Sequence, residues 1–218
     1  MIELKSITKR YENGPTVFEN FSLSLRGGEI TALLGASGVG KTTLLNILAG
    51  TTDYEGEITG ASKPVSFIFQ EDRLLPFKTV QKNLEYALGK GDYAKALESV
   101  GLGGCESKYP SELSGGMARR VAILRAFLFK SELLLMDEPF GSLDIGVKYR
   151  LMELFRSMWE RDRRTAVLVT HNVDEAVYLG QRVIVLGSGG EVLLDKKNED
   201  PELLRKEIEA LFIGERTV

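Results

Sequence analysis

A glycine-rich stretch at residues 35–43 has the residue types and the spacing needed to bind a nucleoside triphosphate. Its members are Gly35, Ala36, Ser37, Gly38, Val39, Gly40, Lys41, Thr42 and Thr43. Glycines let backbone N–H groups curl around phosphate oxygens, and the helix predicted to follow adds the positive end of its dipole. Lys41 can then reach the β- and γ-phosphates, and the Thr42 hydroxyl can bind Mg²⁺. Chance produces this pattern in roughly one chain in a hundred of this size, so phosphate binding is favoured over an incidental turn.

Polar side chains that follow three other predicted strands supply the remaining chemistry of a phosphate-cleaving site. Asp137 ends an apolar run and suits Mg²⁺, usually held through water. Glu138 beside it can orient or deprotonate an attacking water. His171, the single histidine, is predicted to bond the γ-phosphate, and Gln70 to offer its amide to Mg²⁺ or to the water. A plain structural role is the alternative for Glu138, His171 and Gln70.

The elements that position these residues alternate between strands and helices, which predicts an α/β fold with a mainly parallel central sheet. Predicted strands lie at 2–4, 18–25, 29–34, 56–60, 64–70, 133–138, 165–170, 182–186 and 191–194, and predicted helices at 44–49, 79–88, 92–100, 144–161, 172–179 and from 200, with another opened by 113–117. Ligands of such sheets bind at the carboxyl ends of the strands. The phosphate loop and the polar side chains are therefore expected on one edge of the sheet.

The domain organisation expected from this pattern is a single P-loop NTPase domain over residues 1–218. The core comprises about residues 1–70 and 131–218 and starts with an antiparallel β piece. A helical subdomain over about residues 71–130 is inserted between strands of that core.

A second glycine-rich helix start follows at Ser114, Gly115 and Gly116, and it is a second potential anion site. Two such sites about seventy residues apart cannot easily serve one nucleotide within one subunit. A symmetric dimer resolves this, because each chain's second site can meet the nucleotide bound to the other chain.

Composition sets limits on the class of protein. Of 218 residues, 43% are apolar and 27% are charged, which is ordinary for a soluble globular domain. A net charge of −3 gives no strong case for nucleic acid as a partner. Cys105 is the single cysteine, which excludes an internal disulfide and weakly favours a reducing compartment. No secretory signal and no apolar run of about 18–20 residues is found, so any work at a membrane is expected to go through a partner.

Together these motifs resemble the ATP-binding subunit of an ABC transporter, in the family's order and over essentially the whole chain. The matching segments are the adenine-stacking aromatic at Tyr11, the Walker A motif at 35–43, the Q-loop at Gln70, the ABC signature at 113–117, the Walker B motif with its catalytic glutamate at 133–138, the D-loop at Ser142, Leu143 and Asp144, and the switch histidine at His171. Met117 departs from the glutamine commonest in the family, and Val39 from serine or cysteine. Met117 and the loop at 70–77 resemble the nitrate, sulfonate and taurine importer branch, which includes thiamine-precursor importers.

The resemblance implies a mechanism in which two cassettes close head-to-tail on two MgATP. Within one chain Tyr11 would stack on adenine and the Walker A loop would hold the phosphates. Thr42, Gln70 and Asp137 would surround Mg²⁺, Glu138 would activate water and His171 would steady the transition state. In trans, the opposite chain would contribute Ser114, Gly115, Gly116 and Asp144. Hydrolysis would open the dimer and so drive a membrane partner.

The expected function is therefore the ATPase of a bacterial importer of a small solute. It would sit in the cytoplasm on the inner face of the cell membrane and bind integral-membrane permease subunits through a groove near residues 71–90. A solute-binding protein would be reached only through the permease. The alternatives are the ATPase of an exporter or lipoprotein-releasing system, and a soluble ABC ATPase of DNA repair or translation. The last usually carries a second cassette or a long coiled-coil insertion, for which this chain has no room.

Overall fold

Nine β-strands and seven α-helices make up the described part of the chain, residues 1–12, 14–61, 63–141 and 143–214 of a computed structural model. The strands are β1 (Ile2–Arg10), β2 (Thr16–Leu25), β3 (Ile30–Gly35), β4 (Glu55–Thr59), β5 (Ser66–Ile68), β6 (Leu133–Asp137), β7 (Thr165–Val169), β8 (Arg182–Leu186) and β9 (Val192–Lys197). The helices are α1 (Lys41–Ala49), α2 (Val80–Leu88), α3 (Ala94–Ser99), α4 (Gly115–Leu128), α5 (Ile145–Asp162), α6 (Val173–Leu179) and α7 (Pro201–Gly214).

The central sheet has the strand order β5-β6-β7-β3-β8-β9. Its first five strands are parallel and β9 pairs antiparallel with β8. All six residues of β3 are buried, as are Leu133–Met136 of β6, because helices or a second sheet cover both faces. The predicted α/β fold with a mainly parallel sheet is confirmed, and the carboxyl ends of the parallel strands share one edge.

Side chains of the central strands alternate between two cores. Ala32 and Leu34 of β3 face a core built with α5, α6 and α7. Leu33, between them, faces a second core that contains α1 and the N-terminal sheet. The period of two along a strand therefore divides one short apolar segment between both layers.

The N-terminal sheet is antiparallel, as predicted, and has the order β2-β1-β4. β1 extends to Arg10, well beyond the predicted strand at 2–4. The regular alternation is lost because the register shifts between Leu4 and Ile7, where Ser6 has φ of 51°. Such a bulge turns two neighbouring side chains out of the expected pattern, which hid the second half of the strand.

The apolar run at 64–70 forms a strand only over Ser66–Ile68, so β5 is shorter than predicted. The carbonyl groups of Phe69 and Gln70 accept hydrogen bonds from the Arg119 guanidinium, the first at 2.6 Å. Because these carbonyls bond to a side chain, the backbone leaves the sheet before the apolar run ends.

The helices between β5 and β6 surround a core of their own. It contains buried side chains of α2, α3, α4 and the segment between α3 and α4: Val80, Leu84, Leu97, Val100, Leu102, Cys105, Val121 and Leu124. Thr79 caps α2, as predicted, by accepting a hydrogen bond from the Lys82 backbone N–H at 3.3 Å. α4 joins this core to the rest of the protein, because its Ile123 and Ala126 lie in the core of the central sheet.

Arg164 fixes the far end of α4. Its guanidinium donates to the carbonyls of Ala126, Phe127 and Phe129 at 3.2, 2.9 and 3.0 Å. The last carbonyls of a helix lack partners within the helix, and a cation there also suits the helix dipole. The C-terminal end of α4 is therefore tied to the residue that immediately precedes β7.

None of the helices in the described ranges is both long and apolar enough to cross a bilayer.

Candidate nucleotide-binding site

Four adjacent parallel strands deliver the predicted site residues to one edge of the sheet. In spatial order β5 leads to Gln70, β6 to Asp137 and Glu138, β7 to His171, and β3 to the phosphate loop. Residues at the carboxyl ends of neighbouring parallel strands lie side by side. The topology thus brings together motifs that are more than a hundred residues apart along the chain.

Lys41 lies inside the loop that connects β3 to α1. Its ammonium donates to the carbonyls of Gly35 and Ala36 at 2.7 and 2.8 Å, and its side chain is almost completely buried. Burial lowers the pKa of Lys41, while the carboxylates of Glu138 and Asp137 act in the opposite direction. An anion brought to this loop would therefore relieve the cost of holding a desolvated cation.

The loop requires glycine where it enters α1. Gly40, the residue that caps α1, has φ of 104°, in a region that L side chains rarely adopt. A Cβ there would also lie 2.5 Å from Cγ1 of Val17. No side chain caps this helix and its first turn has no acidic residue, so its N–H groups and positive dipole end are left for a phosphate.

A cavity of about 360 Å³ connects the loop to an aromatic ring and a carboxylate. It is lined by Tyr11, Val17, Ser37, Gly38, Gly40, Lys41, Thr42, Thr43 and Glu138. The Tyr11 hydroxyl lies 3.3 Å from Oγ1 of Thr43. The ring is 45% exposed, so it offers apolar surface to a ligand.

Thr42 and Asp137 fit the requirements of Mg²⁺. The Thr42 hydroxyl donates to Oδ1 of Asp137 at 3.2 Å, which places two oxygen ligands together. Burial raises the pKa of Asp137, and the hydrogen bond from Thr42 opposes that shift; a divalent cation would compensate the buried charge. The described residues contain no group of three or more His, Cys, Asp or Glu side chains that is placed to hold a metal ion. Mg²⁺ is commonly held by one or two protein ligands, substrate phosphates and water, so this donor pair is adequate.

The side-chain amide of Gln70 is exposed at the same edge. Among the described residues, no hydrogen bond joins this amide to Thr42 or Asp137. Topology therefore places Gln70 at the same edge as Thr42 and Asp137, without a hydrogen bond to either.

Glu138 and His171 form a pair at the strand ends. Oε1 of Glu138 lies 3.1 Å from Nδ1 of His171. Glu138 has φ of 43°, a left-handed conformation that costs a non-glycine residue about 1–2 kcal/mol. Its backbone N–H bonds the carbonyl of Val169 at 2.9 Å, which holds this conformation. Strained residues of this kind cluster at functional sites, and here the strain turns a carboxylate into the cavity.

The turn that carries His171 rests on a buried network that the sequence analysis did not find. Glu175 is 2% exposed; it accepts from the Thr170 hydroxyl at 2.6 Å and pairs with Lys148 Nζ at 2.7 Å. The same Thr170 hydroxyl accepts from the Asn172 backbone N–H at 3.1 Å. This network joins both flanks of His171 to α5. No local pattern signals it, because Lys148 and Glu175 are on separate helices.

A second set of predicted residues lies apart from the cavity. Ser114 caps α4, its Oγ accepting from the Met117 N–H at 3.3 Å, and Ser114 and Gly115 are exposed. Asp144 begins α5 and is exposed, and Ser142 lies outside the described residues. A Cβ on Gly116 would lie 3.0 Å from Val147 of α5, so the two helix starts are neighbours. Of the described members of this set, Ser114, Gly115, Gly116 and Asp144, none lines the cavity.

Two arginines of α4 connect this second set to the loop after β5. Arg125 donates to the carbonyls of Asp72 and Arg73 at 2.9 and 3.0 Å. Nε of Arg119 lies 3.0 Å from Oδ1 of Asp72, close enough for an ion pair although the N–H is not aligned for a hydrogen bond. Burial raises the pKa of Asp72, and both arginines oppose the shift. Arg125 shares the apolar face of α4 with Val121. An arginine on an apolar helix face indicates a buried polar partner, so the sequence did contain a signal of this contact.

Comparisons with known proteins agree with this geometry. A family profile described as "ABC transporter" matches residues 18–141. The chain is 45% identical over 185 residues to the aliphatic sulfonates import ATP-binding protein SsuB of Bacillus subtilis (strain 168), covering 78% of this chain and 72% of that protein. It is 42% identical over 212 residues to SsuB 2 of Pseudomonas syringae pv. tomato, covering 91% of each chain.

Solved structures give the same result. The dimeric structure of MJ0796, a bacterial ABC transporter cassette, aligns with a TM-score of 0.77 and 30% identity over 92% of this chain and 100% of that one. A dimeric post-hydrolysis state of the same cassette, bound to ADP and Pi, aligns equally well.

Proposed function

This chain belongs to the ABC transporter family, and we propose on that premise that it is the ATP-hydrolysing subunit of a bacterial importer of a small solute. The observation that carries the proposal is the 3.1 Å pair of Glu138 and His171 on the edge that also holds the phosphate loop. A carboxylate, an imidazole, a buried lysine and a bare helix N-terminus are the parts that phosphoanhydride hydrolysis requires.

In this mechanism the cavity binds ATP along its length. Tyr11 stacks on the adenine, and Lys41 with the backbone N–H groups of the loop holds the phosphates. Thr42 and Asp137 would hold Mg²⁺, and the nearby Gln70 amide would be a further ligand. When bound, Mg²⁺ neutralises charge on the phosphate oxygens.

Glu138 and His171 divide the work of hydrolysis. The Glu138 carboxylate takes a proton from the attacking water and so raises its nucleophilicity. An ionised carboxylate can only accept hydrogen bonds, so Nδ1 of His171 carries the proton in their 3.1 Å contact. In that tautomer Nε2 is an acceptor, which suits a hydrogen bond from the attacking water. A hydrogen bond to a γ-phosphate oxygen requires the imidazolium, in which both ring nitrogens are donors.

The site is completed by a second copy of the chain. Ser114, Gly115, Gly116 and Asp144 lie outside the cavity of their own chain at two exposed helix starts. In a head-to-tail dimer they would cap the γ-phosphate held by the partner. Dimers among the similar cassette structures support this arrangement.

Replacing Ser114 with Arg should abolish ATP-dependent dimerisation. The longer side chain occupies the space that the partner's γ-phosphate needs, whereas the chain's own cavity is unchanged. Light scattering with and without MgATP measures the association, and equilibrium binding of ATP to the monomer measures the cavity. Ser99→Arg, at the exposed end of α3, is the matched control. Normal ATP-dependent dimers of the Ser114 variant would exclude the trans arrangement.

A membrane permease is the proposed partner of an apolar groove that β5, the loop after it, α2 and α4 line. The groove has a volume of about 300 Å³ and is lined by side chains that include Val65, Phe67, Phe69, Leu75, Tyr86 and Phe129. Tyr86 is 80% exposed, and Phe77, two residues beyond Leu75, is 89% exposed. Large exposed aromatic side chains around an apolar groove suit a protein contact. Docking here would place the chain on the inner face of the cell membrane.

Tyr86→Glu should weaken co-purification with the permease by about tenfold or more, because hot-spot aromatics typically contribute about 2 kcal/mol or more. ATP affinity of the isolated subunit should not change, because Tyr86 is not among the residues lining the nucleotide cavity. Tyr149→Glu, also exposed but on α5, is the control. Undiminished recovery of the permease would move the docking surface elsewhere.

The import function is tested by reconstitution with the permease and a solute screen for stimulated ATPase activity. Relatives named for aliphatic sulfonates import make alkanesulfonates the first solutes to test. Stimulation without a solute-binding protein, coupled to outward movement, would favour the exporter instead.

The proposed domain division, a core of 1–70 and 131–218 with a helical subdomain of 71–130, is supported by the separate core around α2, α3 and α4.

A further inference from the structure

Lys9 of β1 is a lysine with almost no contact with solvent. Its side chain is 3% exposed, which is rare for lysine unless the charge has a partner. Nζ of Lys9 lies 2.6 Å from Oδ1 of Asp53, in the segment between α1 and β4. The hydrogen bond from Lys9 is the largest cause of a lowered pKa of Asp53. This contact holds the Lys9 ammonium at a defined position.

The same ammonium lies 4.6 Å from the centroid of the Tyr11 ring. Cations within about 6 Å of an aromatic centroid are attracted to its π-electrons. Tyr11 lines the nucleotide cavity, whereas Lys9 does not. Because Lys9 is buried and is not among the lining residues, its cation contacts the ring without occupying the cavity.

Tyr11 is thus held at two points before any ligand arrives. Lys9 attracts the ring, and Oγ1 of Thr43 lies 3.3 Å from the ring hydroxyl at the start of α1. The rest of the side chain is half-exposed and would otherwise be free to rotate. A binding surface that is ordered in advance loses less conformational freedom when its ligand binds.

We propose that Lys9 is a positioning residue for the nucleotide base, acting by holding the Tyr11 ring in the orientation on which the base stacks. This inference rests on the proposed function, in which Tyr11 contacts adenine. It predicts that Lys9 affects the part of the affinity that comes from the base and not the part that comes from the phosphates.

A purely structural role makes a different prediction. If Lys9 only ties β1 to the segment before β4 through Asp53, then removing either partner of the ion pair should have the same effect. Asp53→Asn removes the negative partner and leaves the cation near the ring, so it separates the two explanations. Asp53 lines no part of the nucleotide cavity.

The test compares two ligands by titration calorimetry on the full chain: a non-hydrolysable ATP analogue with Mg²⁺, and inorganic tripolyphosphate with Mg²⁺. Lys9→Met should weaken the analogue by about 3- to 10-fold, the range of a partly desolvated cation–π contact, and leave tripolyphosphate unchanged. Lys9→Arg should restore the affinity for the analogue. Asp53→Asn should keep the wild-type ratio of the two affinities. In the double variant, Lys9→Met should reduce the affinity for the analogue little beyond the loss that Tyr11→Ala causes alone.

Four results would overturn the inference. One is that Lys9→Met weakens the binding of both ligands equally. Another is that Asp53→Asn changes the ratio of the two affinities as Lys9→Met does. The third is an unchanged ratio of the two affinities in Tyr11→Ala, because the base would then not stack on Tyr11. ATP hydrolysis, measured separately as phosphate release, would be untouched by that result. Unchanged tripolyphosphate binding shows that the phosphate loop is folded, so a misfolded Lys9→Met is recognised directly. In that case Lys9→Arg becomes the test variant. If Lys9→Arg lost its base-dependent affinity while it bound tripolyphosphate normally, that result would also overturn the inference.

Discussion

Glu138→Gln should reduce ATP turnover by about 100-fold or more while ATP still binds. The amide keeps the size of the carboxylate but cannot accept a proton from water, and general bases typically contribute about 10²- to 10⁴-fold. The cavity, the phosphate loop and the Thr42–Asp137 pair are not altered by this change. ATP that binds but is not cleaved should therefore hold two chains together.

Phosphate release and light scattering in the presence of MgATP check both parts of this expectation. Glu153→Gln, an exposed position on α5, is the matched control and should hydrolyse ATP normally. Turnover near the wild-type rate in Glu138→Gln would assign the base to another group. Loss of ATP binding would instead indicate that Glu138 supports the cavity rather than the reaction.

Lys41→Ala should weaken ATP binding by about 10- to 100-fold. The variant loses a charge-assisted contact to the phosphates, of the kind that contributes about 1.5–3 kcal/mol. The hydrogen bonds from Lys41 to the carbonyls of Gly35 and Ala36 are lost as well. Stability of the ligand-free protein should fall little, because burial already lowers the pKa of Lys41 and the charged form is held at a cost.

Equilibrium binding of ATP and urea unfolding measure these two quantities. Lys130→Ala, which removes an exposed lysine, controls for a general change of charge. If ATP affinity in Lys41→Ala stayed near the wild-type value, the phosphates would bind elsewhere. A large loss of stability in the absence of ATP would show that the carbonyl contacts matter more than the ligand.

Local patterns predicted those parts of the fold that short segments determine. The strand, loop and helix around Lys41 lie within about twenty residues. Their conformation depends on local backbone geometry and on one helix terminus. The buried strands β6, β7 and β8 were visible as apolar runs. The rule that ligands bind at the carboxyl ends of parallel strands then predicted that the site residues lie on one edge of the sheet.

Long-range contacts determined the parts that were mispredicted. β5 ends early because Arg119, fifty residues later, binds the next two carbonyls. β1 continues through a bulge because its pairing with β2 tolerates a register shift that breaks the period of two. Side-chain bonds between distant residues leave no periodic trace in a sequence.

Residues close together in the chain were enough to predict the α/β fold and two separate glycine-rich helix starts, because each depends on local backbone preferences. Which of the candidate site residues share a cavity depends on the tertiary structure. It placed Tyr11, Lys41, Asp137 and Glu138 together, and it left Ser114 and Asp144 on a different surface. It also placed Lys9 next to Tyr11. These outcomes depend on strand order and on the packing of α4, where burial and Arg164 fix one orientation among many that the same local patterns would allow.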